Sequence, residues 1–161
     1  MIPTLGLLIE NDLKPNNGGF DMSCIWLPII TKLFSPEEGF FNGPVSQFGG
    51  ARADLFTLHS VLSFKTHEKN FFVVEYRPTG GETDTDAWTT AVEELRQYLG
   101  GISDGNSERR IFGAVAIFRA VRFYELNDAY LCDLNGDGEI YYLDRQCKTI
   151  TEKLKCIRTH C

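Results

Sequence analysis

Three residues near the middle of the chain have the types and spacing for phosphate chemistry: Asp54, Glu75 and Arg77. Glu75 and Arg77 lie two apart in a β-prone run, residues 71–77. Side-chain alternation gives them one face, and Pro78 ends the run directly after them. Asp54 opens a second β-prone run, residues 54–61. Antiparallel pairing of the two runs would bring Asp54 alongside the other two. Carboxylate oxygens are natural ligands for Mg²⁺, which takes one or two from protein and completes its octahedron with water and substrate phosphate. Such a cluster suits phosphodiester hydrolysis, with the cation supplying charge neutralisation and the guanidinium stabilising the transition state. The same residues equally make an ordinary ion-pair network at a strand end.

The elements that must position these side chains are read from hydropathy and turn residues. The runs at 54–61 and 71–77, with a polar turn region at 65–70 between them, predict an antiparallel strand pair. Thr85 or Asp86 can cap a helix in which Trp88, Val92, Leu95 and Leu99 recur at helical spacing, with Gly100-Gly101 as its stop. Residues 111–118 and 121–126 read as a hairpin. Runs at 130–134 and 140–143 bracket Asn135-Gly136-Asp137-Gly138, the turn chemistry of a second, C-terminal β-hairpin. Asp144 then caps a last helix with Cys147, Ile150, Leu154 and Ile157 on one side. Upstream, residues 25–34 carry Pro28 and fit a short helix or a buried strand, and Ser35-Pro36-Glu37-Glu38 fits a helix start. The expected fold class is α+β, as a single domain over 1–161 with residues 1–50 as an N-terminal extension.

The segments Arg52-Ala53-Asp54, Val73-Val74-Glu75-Tyr76-Arg77-Pro78 and Ala91-Val92-Glu93-Glu94-Leu95-Arg96-Gln97-Tyr98, in this order and spacing, resemble the core of the PD-(D/E)XK nuclease superfamily. More narrowly, they are similar to uncharacterised fungal domains of that superfamily. The similarity extends over about residues 54–124 and includes the runs at 112–117 and 121–124. It implies a restriction-endonuclease-like αβββαβ core, a central mixed sheet flanked by helices. Asp54, Glu75 and the Tyr76 carbonyl would hold Mg or Mn, and Arg77 would stand at the position of the family lysine. Three positions depart from the family pattern. Ala53 replaces a proline. Arg77 replaces lysine, and a guanidinium with a pKa above about 12 cannot serve as a base although it can hold phosphate. Glu94 replaces the glutamine of a Q-x-x-x-Y pattern whose tyrosine is Tyr98, adding negative charge to the accessory pair. The resemblance leaves two readings: a metal-dependent nuclease with weakened or lost activity, or a non-catalytic pseudo-nuclease that serves as a protein-interaction module.

Composition bounds both. A hydrophobic fraction of 43% with 12 Phe and 6 Tyr provides for a packed core. The net charge of −6, with Lys and Arg scattered, gives no sequence-level footprint for nucleic acid, although Arg52, Arg77, Arg109, Arg110, Arg119 and Arg122 lie near strand ends where folding could gather them. Five cysteines without a C-x-x-C pair predict free thiols in a reducing compartment, and Cys156 with His160 makes too small a set for zinc. The amino-terminal stretch lacks a basic n-region, and no apolar run is long enough to span a bilayer. No membrane partner and an intracellular location, cytoplasmic or nuclear, are therefore expected. His59 and His67 have no motif partner, and no Ser/His/Asp order, P-loop or dinucleotide fingerprint occurs. The stretch from Asp133 to Asp144 matches a calcium-loop pattern through Asp133, Asn135, Asp137 and a final Asp144 in place of the usual Glu, with a β-like run where a leading helix belongs. The Asn-Gly-Asp-Gly turn accounts for the same residues without an ion.

Overall fold

In the computed structural model the described residues are 23–44, 55–60, 68–77, 82–102, 110–128, 130–136 and 138–159. Helix α1 (Ser23–Leu33) is followed by strands β1 (Phe40–Pro44), β2 (Leu55–Ser60) and β3 (Glu68–Arg77). Helix α2 (Thr85–Ile102) leads to β4 (Ile111–Ile117) and β5 (Ala120–Asn127), then to the short β6 (Tyr130–Asp133) and β7 (Tyr141–Tyr142), and helix α3 (Cys147–Thr159) closes the order. The strands form one mixed sheet in the order β1-β2-β3-β4-β5-β6, with β7 also on β5. Only the β3–β4 pair among them is parallel. A parallel pair needs a crossover, and α2 provides it.

The α+β expectation is met, and alternation along the central strands explains the layering. On β4, Phe112, Ala114 and Ala116 join one core with Trp26, Ile29, Ile30 and Leu33 of α1 and Ile150, Leu154 and Ile157 of α3. Ile111, Val115 and Ile117 join the other with Trp88, Ala91, Leu95, Tyr98 and Leu99 of α2. All of β4 is buried, as a strand covered on both faces must be. The sheet therefore lies between α2 on one side and α1 with α3 on the other. Residues 23–44, within the expected N-terminal extension, supply a helix and an edge strand to this arrangement.

Close approach of α2 to β4 depends on Gly113. A Cβ there would stand 2.9 Å from both terminal carbons of Leu95 and 3.1 Å from one of Leu99. The helix thus rests on backbone at this point, and the bulk of Leu95 and Leu99 takes the room that a side chain would use.

Helix α1 settles the helix-or-strand alternative for residues 25–34. Pro28 removes one internal hydrogen bond, while Trp26, Ile29, Ile30 and Leu33 recur at helical spacing and are buried. The Ser35-Pro36-Glu37-Glu38 signal makes only a 3₁₀ turn. Ser35 Oγ accepts from the Glu37 N–H, and Gly39, at φ 88°, ends the turn and feeds β1. Pairing β1 with β2 at Phe40↔His59 through Pro44↔Leu55 fixes an edge strand that hydropathy did not reveal. Strand β3 begins at Glu68, inside the expected polar turn.

Two helix boundaries move. The cap of α2 is Asp84, whose Oδ1 accepts from the N–H groups of Asp86 (2.9 Å) and Ala87 (3.3 Å), instead of Thr85 or Asp86. Gly100 and Gly101 lie inside the helix, which runs on to Ile102.

The expected C-terminal β-hairpin is not formed. β6 and β7 both pair antiparallel with β5, at Tyr124↔Asp133 through Asn127↔Tyr130 and at Ala120↔Tyr142 with Val121↔Tyr141. They therefore run in the same direction, end to end along one edge, and cannot pair with each other. Asp133 is held by Arg122 at 2.9 Å, and Leu134, at the start of a 3₁₀ turn, is buried in the α1/α3 core. Gly136 (φ 69°) and Gly138 (φ 64°) use their left-handed freedom to carry the chain past a gap instead of reversing it. The hairpin in this region is β5–β6, turned at Asp128 with φ 54°.

Gly113→Val should lower stability by about 1–3 kcal/mol through overpacking against Leu95 and Leu99. A lower urea midpoint at unchanged denaturant slope is the expected reading.

Candidate functional site

Glu75, Tyr76 and Arg77 are the last three residues of β3, and their backbone partners on β4 are Val115, Ala116 and Ile117. On the other side, β2 enters the sheet at Leu55, whose partner is Val74, the residue before Glu75. The start of β2 and the end of β3 are thus level. Asp54 lies outside the described residues, and in sequence it directly precedes Leu55. The register expected from the sequence, an antiparallel pair with its β2 start beside its β3 end, is observed, with one irregularity between Thr57 and Leu58.

The accessory residues Glu94 and Tyr98 lie one turn apart on α2, which packs on β3 and β4. Glu94 is half-buried. Tyr98 is 3% exposed within the α2 core, and burial raises the pKa of its phenol.

The chain segments at this end of the sheet converge on Arg119, the second residue of the turn from β4 to β5. Its backbone N–H donates to Glu82 Oε1 at 3.0 Å, and its Nε donates to the same oxygen at 3.3 Å. Its Nη1 donates to Asp144 Oδ2 at 3.2 Å, and its carbonyl accepts from the Leu143 N–H at 2.9 Å. The Glu82 carboxylate, chiefly by hydrogen bonding, raises the Arg119 pKa, so the guanidinium is a fixed cation. Trp88 Nε1 donates to the Glu82 carbonyl at 2.9 Å, which locks the entry to α2. One residue therefore ties the approach to α2 and the approach to α3 to the sheet. Asp144, expected as a helix cap, is bound to Arg119 instead.

The strand-end arginines that folding could have gathered into a basic cleft are held apart in the three whose side chains are described. Arg110 is held bidentately by Glu125 at 2.6 and 2.9 Å, Arg119 by Glu82 and Asp144, and Arg122 by Asp133. Arg52 and Arg109 lie outside the described residues, as do His67, His160 and Asp137. Of the calcium-type set, Asp133 and Asp144 are each bonded to a different arginine, and Asn135 lies in the 3₁₀ turn. Among the described residues no three His, Cys, Asp or Glu side chains converge on one point.

Sequence reasoning did not anticipate the group formed by Arg122, Asp133 and Tyr124. The Arg122 guanidinium carbon lies 5.6 Å from the centre of the Tyr124 ring. The Tyr124 hydroxyl and Arg122 Nε are both buried without a hydrogen-bond partner among the described residues. Burial, with a smaller contribution from Asp133, pushes the Tyr124 phenol up to about 12. The available signal was the alternation of Arg122 with Tyr124 along a strand whose other face carries Val121 and Phe123.

The fold and site define an α+β protein with one helical crossover and a carboxylate–arginine strand end. Comparison with protein families, curated proteins and solved structures finds no match to this chain. Among the described residues no helix is long and apolar enough to cross a membrane.

Two outcomes are expected at Tyr124. Tyr124→Phe removes a buried hydroxyl without a partner, so at neutral pH the variant should be as stable as the wild type or more stable, by up to about 1–3 kcal/mol. The folded state also holds the phenol proton to about pH 12, while an unfolded tyrosine releases it near pH 10. The group therefore leaves stability unchanged with pH below pH ~10, where both states are protonated, and lowers it as the pH rises from there towards about 12. Denaturant titrations across that window should show a steeper alkaline loss in the wild type than in Tyr124→Phe.

Proposed function

We propose that the chain is a PD-(D/E)XK nuclease-like domain that hydrolyses phosphodiesters of nucleic acid, slowly, at the end of β3. The observation that carries this reading is the register: Leu55 beside Val74 brings the start of β2 level with Glu75, Tyr76 and Arg77. The element order is consistent with it. From α1 to β4 the chain runs helix, three consecutive strands, helix, strand, with the last strand parallel to the third. That is the αβββαβ order of the restriction-endonuclease-like core.

The donor set fits a hard divalent cation. Asp54, Glu75 and the Tyr76 carbonyl offer only oxygen, the ligand type that Mg²⁺ and Mn²⁺ prefer. When bound, the cation would neutralise phosphate charge and lower the pKa of water. Arg77 holds a non-bridging phosphate oxygen through its planar fork and stabilises charge that builds there. It cannot exchange a proton with the attacking water, as the lysine of the family pattern could, and the slow rate follows from that difference. Glu94, one turn before Tyr98, adds a carboxylate where the family pattern carries a neutral amide, and would repel phosphate if it faced the cluster without joining in metal binding.

The test is cleavage of single- and double-stranded DNA and RNA with Mg²⁺ or Mn²⁺. The expected result is metal-dependent cleavage, lost in Asp54→Ala and Glu75→Ala and faster by about tenfold or more in Arg77→Lys, within the range that acid–base assistance provides. Equal cleavage by the wild type and both alanine variants would trace to a contaminant and overturn the proposal. No cleavage by wild type and Arg77→Lys alike would reassign the chain to a pseudo-nuclease that acts as a protein-interaction module.

A further inference from the structure

Strand β5 changes edge partner along its length, and three polar side chains meet at the change. β6 pairs with Tyr124 through Asn127 and β7 with Ala120 and Val121, so Arg122 stands in the interval between the two short strands. Ala120 and Tyr124 belong to the α2 core, and alternation along β5 gives Arg122 the same face. Asp133, the register partner of Tyr124, joins them from β6 and bonds Arg122. Leu131, two residues before Asp133, and Tyr142, the register partner of Ala120, are partly buried against the same core and flank the group on either side. The backbone of Gly138 lies over it: a Cβ there would stand 3.5 Å from Arg122 Nη2 and 3.6 Å from Asp133 Oδ2.

The hydrogen bonding of this group is unbalanced. Tyr124 is 4% exposed, and its hydroxyl and Arg122 Nε are both buried without a partner among the described residues. Arg122 Nη2 donates to Asp133 Oδ1 at 2.9 Å, which neutralises the guanidinium and leaves Asp133 Oδ2 as a second acceptor. Buried donors without an acceptor destabilise a fold, and two of them, two residues apart on one strand, ask for a reason. Together they fit an oxygen that accepts twice, and Asp133 fits a donor beside that oxygen. The ion pair forms the open end, with the Arg122 and Asp133 side chains 24% and 32% exposed, and the phenol forms the dry end. The Arg122 guanidinium carbon stands 5.6 Å from the centre of the Tyr124 ring. A rotation of Arg122 away from that ring opens both orphan donors at once.

We infer that Arg122, Tyr124 and Asp133 form a binding site for a small zwitterion of the α-amino acid type. The carboxylate accepts from Arg122 Nε and the Tyr124 hydroxyl, and the ammonium donates to Asp133. Charge selects this ligand. Arg122 and Asp133 already cancel, so a plain anion or a plain cation leaves one uncompensated charge in a partly desolvated place, whereas a zwitterion keeps the balance. Leu131 and Tyr142 add apolar surface for an apolar side chain. The site uses no residue of the β3 strand end, so it stands or falls apart from the nuclease-like reading.

The experiment titrates the full chain by calorimetry with L-leucine, glycine, acetate and methylamine. L-leucine should bind saturably and more tightly than glycine, and at least about tenfold more tightly than acetate or methylamine, each of which meets only half of the site. Tyr124→Phe removes one hydrogen bond to the carboxylate and should weaken L-leucine by about tenfold. Asp133→Asn keeps the shape of the side chain and removes its charge. In that variant L-leucine should weaken by about tenfold or more while acetate binds more tightly, because Arg122 then lacks a counterion. A purely structural role of Asp133 would move both ligands the same way and overturn the inference. Matching melting temperatures confirm that the variants fold. A wild type that binds neither L-leucine nor glycine saturably would also overturn it, as would equal affinities for L-leucine and acetate, or an L-leucine affinity unaltered in both variants. A crystal grown in L-leucine in which the Tyr124 hydroxyl and Arg122 Nε hold an ordered water and nothing else would assign the orphan donors to buried solvent and overturn it too.

Discussion

Parallel pairing of β3 with β4 is the constraint from which the rest of the architecture follows. Neighbouring strands that run the same way cannot be joined by a tight turn, so the chain must leave the sheet after Arg77, cross one face and return at Ile111. The amphipathic α2 makes that crossing, and its buried side needs a flat place to rest. Gly113 provides one by leaving backbone beneath Leu95 and Leu99. With one face of β4 covered by α2, the other face remains apolar and must be covered too. Helices α1 and α3, from opposite ends of the described chain, meet there. Arg158 of α3 donates to the carbonyl of Leu33, the last residue of α1. The crossover also fixes which end of the sheet is chemically rich, since β3 delivers Glu75, Tyr76 and Arg77 at the point where the chain departs.

Electrostatics completes this end of the molecule with few residues. Arg119 occupies a turn that brings it near both Glu82 and Asp144, and its backbone and side chain are both engaged. The strength of the arrangement lies in its geometry more than in the energy of any pair. Partly exposed ion pairs contribute modestly, commonly about 0–1 kcal/mol each. A residue that joins three chain segments nevertheless limits their relative movement. Phe118, the other turn residue, adopts φ 53°, in the left-handed region that primed hairpin turns require. Its ring packs on the α1/α3 core, which offsets the conformational cost.

Much of the fold was legible where periodicity and burial agree. The α2 pattern of Trp88, Leu95 and Leu99, the β4–β5 hairpin and the apolar side of α3 follow directly from the spacing of apolar residues. The missed features have a common physical origin in interactions between segments distant in sequence. Phe40–Pro44 has no alternation of its own and becomes a strand because β2 accepts it. Gly100 and Gly101 would end an isolated helix, but both are exposed within α2 and nothing crowds them there. Asn135-Gly136-Asp137-Gly138 is strong turn chemistry, yet its outcome depends on Arg122 capturing Asp133 from the neighbouring strand. At the candidate site the level placement of the β2 start and β3 end was readable. The role of Glu82, Arg119 and Asp144 was not, because three acidic or basic residues spread over the chain carry no pattern until the sheet brings them together.

The end-to-end placement of β6 and β7 has a consequence for how this protein meets other chains. An edge strand with a long row of free backbone groups is a template for accidental sheet extension. Strand β5 is eight residues long and would be such a template if left open. It is closed in two pieces, by four residues at one end and two at the other, with Arg122 and Asp133 joined across the interval. What then faces outward is a broken margin of short segments, interrupted by a charged pair and by a loop with two left-handed glycines. A passing strand finds no continuous register on it. The same break that defeats a hairpin thus works as a guard against aggregation, at an edge whose Leu131 and Tyr142 also pack against the core of the crossover helix.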